Sequence, residues 1–301
     1  METTLSEHPY ARLTPDLILR ALESAGFVCD GRLLALNSYE NRVYQIGIED
    51  GPPVIAKFYR PGRWSKQAIL EEHAFSQELA AQEIPVIAPF SDADGGSLHE
   101  LEGFLFAAYP RCGGRWPDLD TKAQRQQMGR FLGRMHAIGA TRHFQHRNRL
   151  DIATLGDASR RFVLEEKLVP DYLFDAYATL SDDLLKQIRV MFEIAGSVAQ
   201  IRLHGDCHKG NILWTDRGPH FVDLDDSCSG PAIQDIWMLL SGETEEMRIQ
   251  FEELLEGYQT FFEFDYSSVI LIEALRTLRM LNYAAWLARR WQDPAFPIAF
   301  P

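Results

Sequence analysis

Leu203-His204-Gly205-Asp206-Cys207-His208-Lys209-Gly210-Asn211-Ile212-Leu213-Trp214, followed by Phe221-Val222-Asp223-Leu224-Asp225-Asp226, decides how the rest of the chain is read. Asp206 and Asn211 share one loop, and Gly205 and Gly210 let its backbone fold tightly between them. Asp223 closes an apolar pair, Phe221-Val222, that reads as a short strand. A lone Asp in a Gly-rich loop is ordinarily a turn or a helix cap. An Asp, an Asn and a second Asp in this order, with strand-like flanks, are instead the set that phosphoryl transfer from ATP requires. In that reading Asp206 accepts the proton of an incoming hydroxyl. Asn211 and Asp223 hold Mg²⁺ against the triphosphate, so Asp206 and Asp223 form the catalytic pair.

Working outward, 301 residues suffice for two domains, with 46% hydrophobic and 24% charged residues as in an ordinary globular protein. The expected division is residues 1–110, with a leading helix, a β-sheet and one Glu-bearing helix, and residues 111–301, helical and carrying the catalytic loop. No apolar run approaches the ~20 residues that cross a bilayer, and the acidic start Met1-Glu2-Thr3-Thr4-Leu5 has no apolar signal core. No membrane partner is expected. Four scattered cysteines, Cys29, Cys112, Cys207 and Cys228, fit free thiols in a reducing cytoplasm. A net charge of −13 argues against general nucleic-acid binding.

Thr14-Pro15-Asp16 opens a helix with Leu17, Ile18, Ala21 and Leu22 at helical spacing and Gly26 as its stop. Val43 to Ile48 and Val54 to Phe58 read as strands joined by a turn at Gly51-Pro52-Pro53. Lys57, closing the second strand upstream of an acidic helix, is placed to pair with the ATP phosphates. That helix starts near Ser65; Glu72, or alternatively Glu71, is the residue to hold Lys57. Gly103 to Pro110 reads as a buried strand whose backbone near Ala108 and Tyr109 would meet the adenine edge. Gly113-Gly114 marks a hinge. Helices then follow over 121–138, which Gly139 ends, over 158–199 and over 268–291. His136 reads as a satisfied core histidine, and Arg142, His143, His146, Arg147 and Arg149 as a solvated basic loop, with a phosphate- or acid-binding patch as the alternative. Asp235 is a candidate brace for the catalytic loop.

The His204-Gly205-Asp206 start, Asn211 and the following Asp223 resemble the aminoglycoside phosphotransferase and choline kinase family, a branch of the protein-kinase-like fold. The stretches 36–44, 54–60, 203–214 and 291–297 resemble a bacterial, cytoplasmic serine/threonine protein kinase branch of that family. The resemblance implies an α+β, bilobal fold with a small N-terminal antiparallel sheet lobe and a larger, mainly helical C-terminal lobe. It further implies a monomeric Mg²⁺–ATP enzyme that phosphorylates protein hydroxyls, including its own, in a stress response. The alternative is a small-molecule kinase acting on a choline-, aminoglycoside- or homoserine-like alcohol. A nucleotide-binding regulator without turnover is a third reading. No Gly-x-Gly-x-x-Gly precedes Lys57; Asn37-Ser38-Tyr39-Glu40-Asn41 stands there, with Ser38 as the hydroxyl expected to contact phosphate. Asp225 either holds a second Mg²⁺ or hydrogen-bonds the loop. Cys207 is either a small loop residue or a redox-sensitive thiol beside the base.

Overall fold

Strand alternation explains most of the N-terminal architecture. In a computed structural model, which describes residues 8–291 and 293, β1 (Cys29–Leu36), β2 (Arg42–Ile48), β3 (Val54–Phe58), β4 (His99–Leu101) and β5 (Phe104–Pro110) form one antiparallel sheet. Its order is β1-β2-β3-β5-β4. Successive side chains of a strand point to opposite faces. Val54, Ala56 and Phe58 therefore share a face with Phe104, Phe106 and Ala108, and there they meet Leu17, Ile18, Ala21 and Leu22 of α1 (Pro15–Ser24). Phe58 and Phe106 stack at 5.3 Å between ring centroids. Thr14 caps α1 by accepting from Leu17 N, and Gly26 follows it at φ +90°. The intervening residues Ile55, Lys57 and Tyr59 point the other way, toward Ile69 of α2 (Lys66–Ala81), Ala107 and Tyr109. Sheet register thus turns Lys57 toward the buried Glu72 rather than to water. Glu71, one residue earlier, is only half-buried.

The chain divides into two compact units. The first runs through Arg115 and takes back His220–Asp225; the second holds Trp116–Pro219 and everything from Asp226 onward. The second unit contains α3 (Lys122–Gly139), α4 (Ser159–Glu165), α5 (Asp171–Ala195), α6 (Ile233–Trp237), α7 (Thr244–Tyr258) and α8 (Leu271–Arg290). Strands β6 (Ile201–Leu203) and β9 (Cys228–Gly230) pair in it, while β7 (Ile212–Thr215) pairs with β8 (Gly218–Phe221). Leu185 and Ile188 of α5 pack on Ala274, Leu278 and Leu281 of α8. Among the described residues, no helix is long and apolar enough to cross a membrane. The stretch 294–297, part of the resemblance, and the terminal Phe300-Pro301 lie outside the described residues.

The stretch expected to be helical over 158–199 is interrupted between Glu165 and Asp171 and ends at Ala195. Two further expectations change on contact with the fold. Gly139 does not stop α3; the helix includes it, and Ala140 is the C-cap. Its missing side chain makes room for the carbonyl of Arg202. Gly129 and Gly133, one turn apart on α3, similarly lie against the carbonyls of Leu254 and Tyr258 on α7, and Gly257 of α7 against that of Gln126. A helix seam of this kind leaves no side chain that can yield. Gly133→Ala is expected to cost about 2–3 kcal/mol, the upper part of the overpacking range. Gly113→Ala, with open space around its Cβ position, should stay within about 0.5 kcal/mol. Urea midpoints of the two variants test this, and equal midpoints would refute the seam. The basic loop is the second correction: Arg147 is buried and donates to the Ser227 carbonyl at 2.8 Å. It is a structural tie and not part of a solvated face.

Candidate active site

In the first unit the site is built around the Lys57 ammonium. Its Nζ lies 2.8 Å from Asp223 Oδ1 and 3.9 Å from Asp225 Oδ1. Burial alone would drive this amine toward its neutral form. Asp223 and Asp225, with Tyr109 and Glu72 adding to them, outweigh burial and hold it well above the ordinary lysine range. Asp223 reaches Lys57 because Phe221 is pinned on both sides of its peptide: its N–H donates to Pro85 O at 2.7 Å, and its carbonyl accepts from Ile87 N at 3.0 Å. Two residues on, Asp223 adopts φ 57°, the left-handed region that non-glycine residues rarely enter. Its side chain is 52% exposed, against 11% for Lys57. A strained acid, half in water and half paired, fits a position held for chemistry.

Asp225 is enclosed where Asp223 is open. It accepts from Asn41 Nδ2 at 3.0 Å and from Arg63 Nη1. With two cations and an amide already on it, Asp225 serves as a clamp on the loop before β2. Asn41 extends the clamp, because its Oδ1 accepts from Arg60 N at 3.1 Å. Ser38 Oγ donates to the Asn41 carbonyl at 2.8 Å, so the expected phosphate-contacting hydroxyl braces its own turn. Tyr10 reinforces it from below, with its hydroxyl near the carbonyls of Glu40 and Phe58. The carbonyl of Ala108, near the expected adenine edge, accepts from Phe90 N at 2.8 Å. The Tyr109 hydroxyl is held at 2.8 Å from that of Tyr59.

In the second unit the loop from Gly205 to Asn211 carries Asp206. Gly205 sits at φ +84° with the Asp226 carbonyl against its missing Cβ, so no other residue fits there. Gly210 has no such requirement and faces the His208 ring. Asn211 Nδ2 donates to Asp206 O at 3.0 Å and Oδ2 at 3.2 Å, which commits its amide nitrogen to the loop. Arg279 Nη1 of α8 lies 2.6 Å from Asp206 Oδ1, and His208 Nε2 lies 3.5 Å from Oδ2. Burial would raise the Asp206 pKa. The hydrogen bond with His208 and the charges of Arg279, His208 and His204 outweigh that and hold the carboxyl well below the usual range.

Behind this loop stands Asp235, fully buried on α6. Oδ2 accepts from His204 N and Oδ1 from Gly205 N, each at 2.9 Å. His136 Nε2 lies 3.1 Å from Oδ2, and the other ring nitrogen 2.9 Å from the Tyr258 hydroxyl. The expected core histidine is therefore satisfied, and what satisfies it also sets the loop. Cys207 is buried, and burial followed by the charges of Asp235 and Asp206 pushes its thiol well above the usual range. Cys228 is buried and raised in the same way, burial again being the largest cause. Iodoacetamide at pH 8 is expected to alkylate only Cys29 and Cys112 in the folded protein, as read by peptide mass spectrometry; modification of Cys207 before unfolding would contradict its burial.

The residues suit a hard divalent cation in part. Among the described residues, no three His, Cys, Asp or Glu side chains form a metal cluster of their own. Asn211 in the second unit carries an amide oxygen and Asp223 in the first an exposed carboxylate, each of the donor type that Mg²⁺ takes. Sequence reading missed Asn41, Arg63, His208 and Arg279, since Asn41 and Arg63 act through a residue far along the chain and Arg279 sits inside an ordinary amphipathic pattern.

A profile of the phosphotransferase enzyme family matches residues 32–272. Stress response kinase A of Escherichia coli (strain K12) is 45% identical over 296 residues, covering 98% of this chain and 89% of the relative. Serine/threonine protein kinase RdoA of Salmonella typhimurium is 44% identical over 292 residues, covering 97% and 88%. The microcompartment-associated aminopropanol kinase superposes with a TM-score of 0.71 at 19% identity, covering 93% of this chain and 92% of that one. Amicoumacin kinase hAmiN gives 0.69 at 20%, covering 91% and 86%. At such identities these two share the fold: an antiparallel N-terminal sheet followed by a mostly helical part. With a family profile spanning most of its length and relatives this similar, the chain belongs to the phosphotransferase enzyme family and is an ATP-dependent kinase.

Proposed function

We propose that the chain is a serine/threonine protein kinase that passes the γ-phosphoryl group of Mg²⁺–ATP to protein hydroxyls, its own among them, as a cytoplasmic monomer in a bacterial stress response. The observation that carries this reading is the Lys57–Asp223 pair, held by Phe221 and by the strained backbone of Asp223, together with 45% identity to stress response kinase A. Lys57 orients the α- and β-phosphates, and Glu72 supports its charge from α2. Asn211 and Asp223 hold Mg²⁺, which when bound neutralises charge on the phosphate oxygens. Asp206, ionised and fixed by Arg279 and Asn211, orients the acceptor hydroxyl and takes its proton. Catalysis on this reading is positioning and charge stabilisation, with no covalent step on the protein.

Incubation with γ-labelled ATP and Mg²⁺ tests it. Label on the protein without added acceptor supports the reading; label confined to an added amino alcohol replaces it with a small-molecule kinase. Asp223→Ala should weaken Mg²⁺-dependent ATP binding by about tenfold or more, the loss of one charged ligand contact. Titration with and without Mg²⁺ measures it. An affinity unchanged in Mg²⁺ removes Asp223 from the metal site.

A further inference from the structure

The surroundings of Asp206 constrain what can approach it. A hydroxyl that gives up its proton must come within about 2.6–3.2 Å of an Asp206 oxygen. One of those oxygens has the Arg279 guanidinium 2.6 Å away; the other faces His208 Nε2 and Asn211 Nδ2. Arg279 is 43% exposed, so part of its five-donor fork remains open to solvent beside Asp206. The next arginine down α8 does not share this role. Arg276 is paired with Glu273 at 2.9 Å and lies over the Trp237 ring.

From this we infer that Arg279 selects the acceptor by charge: the hydroxyl carried to Asp206 belongs to a molecule with a carboxylate or phosphate beside it, not an ammonium. This rests on Asp206 being the proton acceptor. The physical reason is separation. A charge two or three bonds from the acceptor hydroxyl lies only a few ångströms from Arg279, well inside the ~8 Å over which physiological salt screens. The ionised Asp206 carboxylate offsets part of that field, and what the exposed part of the Arg279 fork leaves draws in an anion and repels a cation, by about tenfold in rate. A serine flanked by acidic residues meets the requirement, and so does a small hydroxy acid. Choline-like and aminoglycoside-like alcohols do not.

Two acceptor pairs test this, one peptide and one small molecule. The first pair is a serine peptide flanked by Glu and the same peptide flanked by Lys; the second is glycerate and ethanolamine. In whichever pair is turned over, the wild type should favour the anionic member in kcat/KM by about tenfold or more. Arg279→Lys should keep the preference, Arg279→Gln should bring the ratio toward one, and Arg279→Glu should invert it. A bracing role alone would lower both rates together and leave the ratio unchanged. A wild type that prefers the cationic member, or a ratio unmoved in Arg279→Gln, overturns the inference. Asp206→Asn, assayed in parallel, tests the base separately: activity retained there would reject the proton acceptor, while the charge ratios of wild type and Arg279→Gln still decide the selectivity.

Discussion

Asp206→Asn is expected to lower kcat by about 10²–10⁴-fold, the range for loss of a positioned acid–base group, with ATP affinity retained. The substitution keeps the shape of the side chain and removes only its charge and its capacity to take a proton. Asp206 touches Arg279, His208 and Asn211, and an asparagine in its place keeps an oxygen that can accept from Asn211, so the metal ligand proposed at Asn211 stays in place. Nucleotide binding, measured by titration with an ATP analogue, should be nearly unchanged. Rapid-quench measurement of the transfer step separates loss of chemistry from loss of product release. A kcat within a few-fold of wild type would remove Asp206 from the proton transfer.

Asp235→Ala should be the most damaging change to stability. The carboxylate is fully buried and accepts from two consecutive backbone N–H groups and from His136. Truncation leaves these buried donors without their charged acceptor. Breaking a buried charged network in this way costs about 3–5 kcal/mol, a large share of the ~5–15 kcal/mol that holds a typical domain together. A urea midpoint shifted at unchanged slope would report it. The same variant should lose activity even where it remains folded, since the His204–Gly205 turn that presents Asp206 is fixed by those two hydrogen bonds. A loss below about 1 kcal/mol, the worth of one ordinary hydrogen bond, would rule out the bracing network.

The sequence made the helices and sheet legible because their signals are local. Thr14, Ser65 and Thr121 each stand as N-caps where a hydroxyl precedes an amphipathic run, and strand alternation alone puts Lys57 on the face opposite α1. Glycines were less legible. Gly205 is required by its backbone angle, but Gly129, Gly133 and Gly139 are required by what another segment places against them, and nothing in α3 itself announces that. The same holds for the site. Asp206, Asn211 and Asp223 stand in a recognisable order, whereas Asn41, Arg63 and Arg279 meet their carboxylates across long stretches of chain. Their type and spacing carry no motif. Ser38 was legible as a loop hydroxyl, but its donation to the Asn41 carbonyl depends on a turn geometry that composition does not encode.

Where α3 crosses α7, main chain lies on main chain, with glycine on one side of each contact. Interiors built from side chains can trade a methyl here for a methyl there and settle into a new arrangement. This crossing has no such currency of small adjustments, so mutational drift in the helical unit must run through other positions and leave these three glycines as they are.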